Sequence, residues 1–522
     1  RLAQDATVIP VYREMIADAD TPVSALAKLG PGSSTFLLES VTGGETVGRY
    51  SFLGNSALLT FRSRGSEVVI TSADGQKTRE TVADPLARLE QLLAQFRPAS
   101  VPGLPRFFGG AVGYVGYEGI APDGVALPAN KTADAAADDG ATVVEDVPDL
   151  YFLITDAVLI FDHSRRNVQV VVNAVPGDDP GAAYDEACRR IDDIVMRLES
   201  ESGLRPLPGV GNGALLATSA SADSRGAAVL REGNAAFRGF ASTYGGGAGG
   251  GTFAEFGDAV DVVRRRIADG DVFQVVLSRR FVVPLRARPF DVYRVLRSIN
   301  PSPYMFFLDF GDVQLVGSSP EVMVRLEDGV ASLRPIAGTR RRGQTPREDE
   351  QLAAELLADE KELAEHVMLV DLGRDDLSRV CEYGTVQLER VMAVEKYSHV
   401  MHIVSDVTGR LAAGRTAFDL LRAVFPAGTV SGAPQRRAMA LIRELEPVRR
   451  GPYAGAIGYF GFSGNMDSCI AIRTIVCQGG LARVQAGAGI VADSDAEREA
   501  AEIASKCAAL LQTLAVANEV SA

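Results

Sequence analysis

Gly110-Ala111-Val112-Gly113-Tyr114-Val115-Gly116-Tyr117 and Gly455-Ala456-Ile457-Gly458-Tyr459-Phe460-Gly461-Phe462 are two versions of one pattern. Each alternates small and bulky residues, as a strand does where another backbone packs close to it. The pair is either a chance echo in a chain with 53 glycines or the sign of two related β layers facing each other. The sequence around them is strand-rich. Strands are expected at 34–40, 67–72, 150–161, 168–175, 272–281, 454–462, 468–476 and 482–486. Helices are expected at 85–95, 182–198, 255–269 (with Thr252 as cap), 291–299, 348–379 and 496–515. Residues 121–146, rich in Ala, Asp, Gly and Pro, read as an exposed loop. Residues 201–251 show little apolar periodicity and end in Gly245-Gly246-Gly247-Ala248-Gly249-Gly250-Gly251, which reads as a flexible linker.

A chain of 522 residues allows three or four domains, or one large α/β enzyme domain. Apolar residues make up 46% and charged residues 23%, the balance of an ordinary globular chain. The net charge of −14 argues against nucleic acid or an anionic membrane as partner, since both select basic surfaces. A small anionic substrate stays possible, because local basic groups suffice for it. No apolar run reaches 18 residues, so no membrane span is expected. The start, Arg1-Leu2-Ala3-Gln4-Asp5, is not a signal peptide and lacks a Met, so a trimmed chain is expected. Cys188, Cys381, Cys469, Cys477 and Cys507 are too scattered for a disulfide framework, and reduced cytoplasmic thiols fit best.

Four constellations bear on chemistry. Glu362 with Glu365, and Glu499 with Glu502, are carboxylate pairs three apart on expected helices, so each pair shares a helix face. Alone, each reads as a solvated face; together they make a hard oxygen site suited to Mg²⁺, which takes one or two protein carboxylates. His366, His399 and His402 have no cysteine at zinc spacing, and read as substrate-facing or structural histidines. The loops Ala337-Gly338-Thr339-Arg340, 428–434 and Ala486-Gly487-Ala488-Gly489-Ile490 offer backbone amides to an anion, or are plain tight turns. Arg473 follows Cys469-Ile470-Ala471-Ile472, and Lys506 shares a helix with Glu499 and Glu502. A buried Arg needs an anionic partner, and its planar fork suits a carboxylate. There is no P-loop and no Gly-x-Ser-x-Gly elbow; the one Gly-x-Gly-x-x-Gly match lies inside the Gly245 run. These residues alone lead as far as a Mg²⁺-assisted enzyme acting on a small carboxylate.

Taken in order, further motifs narrow this. They are Asp271-Val272-Phe273-Gln274-Val275-Val276-Leu277-Ser278, Gly317-Ser318-Ser319-Pro320-Glu321, Arg334-Pro335-Ile336-Ala337-Gly338-Thr339-Arg340, residues 359–376, Phe425-Pro426-Ala427-Gly428-Thr429-Val430-Ser431-Gly432-Ala433-Pro434, and residues 487–506. With them the chain resembles the chorismate-utilising enzymes, and among these the anthranilate synthase large subunits, strongly over 253–514 and more thinly before. The resemblance implies an α+β fold of two stacked antiparallel β-sheets flanked by helices, with the active site between the sheets. It implies a carbon–oxygen lyase of tryptophan biosynthesis that turns chorismate and ammonia into anthranilate and pyruvate. Glu365 and Glu502 would ligate Mg²⁺, supported by Glu362 and Glu499. Gly338 and Thr339 would hold the ring carboxylate. Tyr453, Arg473 and the amides of Gly487, Ala488 and Gly489 would hold the enolpyruvyl carboxylate, and Lys506 would add charge. Glu321 would protonate the departing C4 hydroxyl, and His402 and Thr429 would line the ring.

Two positions sort the family. Isochorismate and salicylate synthases carry a water-activating lysine where Gln274 stands, and Gln is no base at neutral pH. Aminodeoxychorismate synthases usually carry a nucleophilic lysine where Ala337 stands. Both departures favour direct attack by ammonia; an aminodeoxychorismate synthase component, or an inactive tryptophan-sensing subunit, are the alternatives. The resemblance also implies feedback by L-tryptophan, bound by Glu39, Ser40 and Arg49, with Tyr50 and Ser51 beside them and Pro303, Tyr304 and Met305 walling the indole. The absence of Trp from the chain fits an enzyme needed when tryptophan is scarce. No glutaminase segment is fused here, so a separate glutamine amidotransferase subunit is implied, as is an oligomer. The expected organisation is an N-terminal region, 1–240, with much of the regulatory site, a Gly-rich linker, 241–252, and a catalytic region, 253–522, the two regions packed as one intertwined unit.

Overall fold

The computed structural model describes residues 5–16, 18–40, 48–120, 147–204, 207, 241–243, 253–397 and 400–520. The loop expected at 121–146, most of the linker at 201–251, Thr252 and His399 lie outside the described residues.

Two 12-stranded antiparallel sheets form the core among the described residues. In the first, Ile9–Ile16, Asn167–Ala174, Ala157–Asp162, Tyr50–Gly54 and Thr35–Glu39 lead to Tyr304–Asp309, Gln314–Ser319, Thr474–Gln478, Leu481–Ile490, Gln274–Pro284 and Ala241–Thr243. The second runs from Ile336–Arg341 through Val400–Arg410, Val330–Leu333, Val322–Glu327, Met466–Ile470 and Ala456–Gly461 to Gly110–Val115, Leu150–Thr155, Leu59–Arg64, Glu67–Ser72 and Lys77–Thr81. Gly432–Ala433, beside Gln274–Pro284, is the twelfth strand of the first sheet, and Gln387–Lys396, beside Val400–Arg410, the twelfth of the second, so each sheet joins strands from both halves of the chain. The seams are Met305 opposite Glu39 in one sheet and Gly458 opposite Gly113 in the other. The layers pack face to face, as where the Phe52 ring meets Tyr459 at 5.9 Å. One continuous apolar core fills the interface.

The two echoing segments are not facing layers. Gly110–Val115 and Ala456–Gly461 lie side by side in one sheet, in antiparallel register. Their small residues are still explained by close backbone approach. A Cβ on Gly113 would stand 2.0 Å from the carbonyl oxygen of Tyr151, and one on Gly458 2.0 Å from that of Asp467.

Three expected elements are each broken in two. The helix expected at 348–379 is Pro346–Leu357 and Glu360–Ser378. Asp359 starts the second by accepting from the amides of Lys361 (3.1 Å) and Glu362 (3.2 Å). The strand expected at 150–161 divides at Asp156, which pairs with Arg190 at 2.6 Å. The strand expected at 468–476 ends at Ile470 and resumes at Thr474, and within the gap Arg473 takes φ +51°. That left-handed residue, costly for a long side chain, turns Arg473 out of the strand's alternation. The C-terminal helix, Ala496–Val520, is by length and composition apolar enough to cross a bilayer. Here its apolar face, including Ile503, Leu510 and Leu514, is buried in the core.

Candidate active site

The helices Glu360–Ser378 and Ala496–Val520 bring their acidic pairs to one place, which spacing alone did not show. Glu365 is raised above the ordinary carboxylate range by burial, then by the charges of Glu362 and Glu502. Glu499 is raised by burial and by Glu502, against a hydrogen bond from Ser494. Lys506 stands among them, 2.7 Å from Glu502 Oε1, and donates to the carbonyl of Gly487 at 2.9 Å. Arg340 holds Glu362 Oε1 at 3.2 Å and Asp359 at 2.7 Å. No three of the described His, Cys, Asp and Glu side chains converge into a closed metal cage. The donor set is instead an open group of repelling carboxylates. That fits a cation which keeps waters and takes one or two protein oxygens.

Arg473 lies beyond them, with Tyr453 and Cys507 near its charge. Burial lowers its pKa, and among the described residues no carboxylate forms an ion pair with it. The strand Leu481–Ile490 runs beside it. Its pairing with Thr474–Gln478 ends at Val484 opposite Ile475, so Gly487, Ala488 and Gly489 pair only with Gln274–Pro284. A Cβ on Gly487 would come within 2.8 Å of the Tyr453 hydroxyl, and one on Gly489 within 2.4 Å of Gln274 Nε2. Glycine at 487 leaves room for the Tyr453 hydroxyl, Val276 and the Leu277 carbonyl, whereas at 489 a Cβ would displace only the flexible Gln274 amide.

The opposite wall is the strand Ile336–Arg341. Gly338 has φ +66°, and a Cβ there would stand 3.3 Å from Glu362 Oε2. His402, on the neighbouring strand, places Nδ1 2.9 Å from Gly338 O and 3.2 Å from Thr339 Oγ1. A carbonyl only accepts, so Nδ1 carries the proton and Nε2 keeps a lone pair. Burial lowers the His402 pKa, and Arg473 lowers it further. His366, in contrast, is buried against Ser405 at 2.7 Å and is structural.

Glu321 follows the strand Gln314–Ser319. Burial pushes its carboxyl up to about 7, although the Thr429 hydroxyl, donating at 3.0 Å, and the Lys506 charge both pull it down. Thr429 sits in the short turn Gly428–Val430. Gln274 faces Gly489, and Ala337 is buried opposite Ile403.

A second cleft opens between the sheets elsewhere. Glu39, Ser40, Tyr50, Pro303, Tyr304 and Met305 line it. Glu39 is already engaged, accepting from Tyr293 and from Arg297 Nε at 3.1 Å. Arg49 does not line it: its guanidinium stacks on Tyr50 at 4.8 Å and pairs with Asp162 at 2.8 Å. Ser51 binds His163 at 2.7 Å. Sequence reasoning missed Tyr459 and Asp467 in its lining. Asp467 accepts from the Tyr304 hydroxyl at 2.9 Å, and the buried Tyr459 hydroxyl lies beside Arg106. The bulky positions of the 455–462 pattern were the available signal for Tyr459.

Comparisons with known proteins agree with this geometry. The family model for chorismate binding enzymes matches residues 250–512. Anthranilate synthase component 1 of Acetivibrio thermocellus is 43% identical over 99% of this chain and 98% of its own length. That of Synechocystis is 45% identical over 98% and 97%. The crystal structure of anthranilate synthase component I from Streptococcus pneumoniae superposes with a TM-score of 0.71 at 33% identity, over 95% of this chain and 99% of that one. The menaquinone-specific isochorismate synthase of Escherichia coli shares the fold, with a TM-score of 0.65 at 19% identity over 98% and 96%.

Proposed function

The chain belongs to the chorismate-binding enzymes and, within them, to the anthranilate synthase component 1 family, and from that premise we propose how its own residues carry the reaction. The enzyme is an anthranilate synthase large subunit, converting chorismate to anthranilate. Arg473, the open edge at Gly487–Gly489 and the Tyr453 hydroxyl bind the enolpyruvyl carboxylate. Gly338 and Thr339 bind the ring carboxylate, and Mg²⁺ held by Glu365 and Glu502, with Glu362 and Glu499 around it, supplies charge neutralisation there when bound. Glu321 protonates the C4 hydroxyl, which leaves as water while ammonia adds at C2. The C2 proton is then lost as the C3–O bond breaks, and the departing enolpyruvate takes up a proton to become pyruvate, leaving anthranilate. His402, neutral and with Nε2 free, takes the C2 proton. Gln274 and Ala337 leave water and a lysine amine out of the competition. A separate glutaminase subunit supplies the ammonia in the cell. All five cysteines are unpaired, in keeping with a reducing, cytoplasmic setting.

The observation that carries this reading is Glu321, whose carboxyl, held by the Thr429 hydroxyl at 3.0 Å and raised by burial to about 7, stays partly protonated near neutrality. Anthranilate fluorescence from the protein with chorismate, Mg²⁺ and ammonium tests it. Chorismate consumed without anthranilate would instead favour an aminodeoxychorismate-type product. The acid must be protonated to act, so kcat/KM for chorismate, corrected to free ammonia, should fall as pH rises through about 7. A flat profile from pH 6 to 9 would remove Glu321 from that role.

For the metal, Glu365→Gln or Glu502→Gln should abolish Mg²⁺-dependent turnover. A magnesium titration on either variant that still saturates at full rate would overturn the assignment.

We assign the second cleft to L-tryptophan as feedback inhibitor. Tyr50, Phe52, Tyr304, Met305 and Ile457 give it aromatic and apolar walls that suit the indole, and Ser40 is among its polar lining. Ser40→Phe should relieve inhibition with turnover retained. Tryptophan dose–response curves that overlay those of the parent would refute the site.

A further inference from the structure

Arg450 stands behind three walls of the active site, away from the place where chorismate reacts. It is 2% exposed. Its Nε and Nη2 reach the two oxygens of Glu446 at 2.8 and 2.7 Å. Nη1 donates to the carbonyl of Val430, and Nη2 to that of Val276, both at 2.7 Å. The guanidinium lies 4.6 Å from the Tyr117 ring centroid and 5.5 Å from that of Tyr453.

Each of these neighbours belongs to an element that carries a site group. Val430 closes the turn whose Thr429 holds Glu321. Val276 is in the strand of Gln274 that faces Gly489. Tyr453 follows three residues on. The backbone at Arg450 is itself fastened, because Glu118 accepts from the amides of Arg450 (2.8 Å) and Gly451 (3.0 Å). Glu446 is fastened by the amide and hydroxyl of Ser278, each at 2.8 Å.

A buried ion pair is a poor device for stability, since apolar residues of like volume do as well or better. It is a good device for geometry. A planar guanidinium can bind a carboxylate and two carbonyls from three elements at fixed angles, which an ammonium cannot. We infer that Arg450 is a positioning residue for the reaction, holding the Thr429 turn, the Gln274 strand and Tyr453 in register so that proton donor and carboxylate site meet the same chorismate. The inference rests on Glu321 being the proton donor.

Arg450→Lys keeps a cation for Glu446 but cannot span both carbonyls. The site loosens, KM for chorismate rises, kcat falls, and kcat/KM drops about 100-fold, the scale of an ångström of misplacement. Thr429 also withdraws from Glu321. Its hydrogen bond stabilises the ionised carboxyl, so the alkaline limb moves to higher pH. The charged group facing Glu321 is Lys506, which Arg450 does not touch.

The experiment compares kcat, KM and pH profiles of the parent, Arg450→Lys, Thr429→Val and the double variant, with ammonium as nitrogen source. The expected result is an upward limb shift in both single variants, and no further shift in the double variant. Unaltered KM and limb in Arg450→Lys overturn the inference, as does an activity loss that merely tracks loss of folded protein. If Thr429→Val leaves the limb in place, the reading of Glu321 fails, and KM alone decides the role of Arg450. Should Arg450→Lys not fold, Glu446→Gln replaces it: a smaller KM rise and limb shift in the same directions support the inference, and parent values overturn it.

Discussion

Glu321→Gln is expected to lower kcat by about 100- to 10,000-fold while leaving KM for chorismate within a few-fold of the parent. The size follows from the leaving group. Hydroxide departs poorly, and one positioned acid supplies most of what the step lacks. Gln keeps the volume and still accepts from Thr429, so the pocket stays formed. It has no transferable proton. The same substitution should erase the alkaline limb near 7, because the group that titrates there is gone. Stopped-flow or steady-state anthranilate fluorescence measures both. A variant with kcat within ten-fold of the parent would move the acid role to another residue.

Arg473→Met is the second large effect, and it has two signs. Against chorismate it removes a charge-assisted fork worth about 2 to 4 kcal/mol, so apparent affinity should fall roughly 30- to 1,000-fold. Against unfolding it should help. Arg473 is a half-buried, largely desolvated cation with no carboxylate paired to it among the described residues, and burying such a charge destabilises the native state. The ligand-free Tm should therefore rise while binding collapses. A function-destroying substitution that stabilises the fold is the mark of a residue kept for its ligand. A fall in Tm together with weaker binding would mean Arg473 has a structural partner, and would count against its place in the carboxylate site.

Parts of this site were legible in the sequence because their logic is local. The spacing of Glu362 with Glu365 and of Glu499 with Glu502 set both pairs on helix faces. Arg473 stood out as a charge amid Cys469, Ile470, Ala471 and Ile472. Other parts were not legible because they depend on distant pairing. Nothing local says that Gly110–Val115 lies beside Ala456–Gly461 instead of opposite it. The interruption at 471–473, which aims Arg473, is a backbone event inside an apolar run that reads as continuous strand. Asp359 could have been seen as a cap three residues before Glu362, dividing the long acidic helix. Arg450 carries no signal beyond a Glu four residues earlier, and its importance comes from which carbonyls the fold brings to it.

The interleaving of the two sheets governs how the chain is made. Arg106 meets Asp467 across 361 residues of sequence, and the seams of both sheets span comparable gaps. At ribosomal speeds of about 5–20 residues per second, such partners emerge roughly 13 to 70 s apart. Through that interval Gly110–Val115 can pair with Leu150–Thr155, but its other edge, which Ala456–Gly461 will take, stays open. A nascent chain of this enzyme cannot bank its N-terminal half as a finished unit. It should lean on chaperones until the last helix emerges, and ribosome-bound fragments stopped before Glu502 should be protease-sensitive along their whole length.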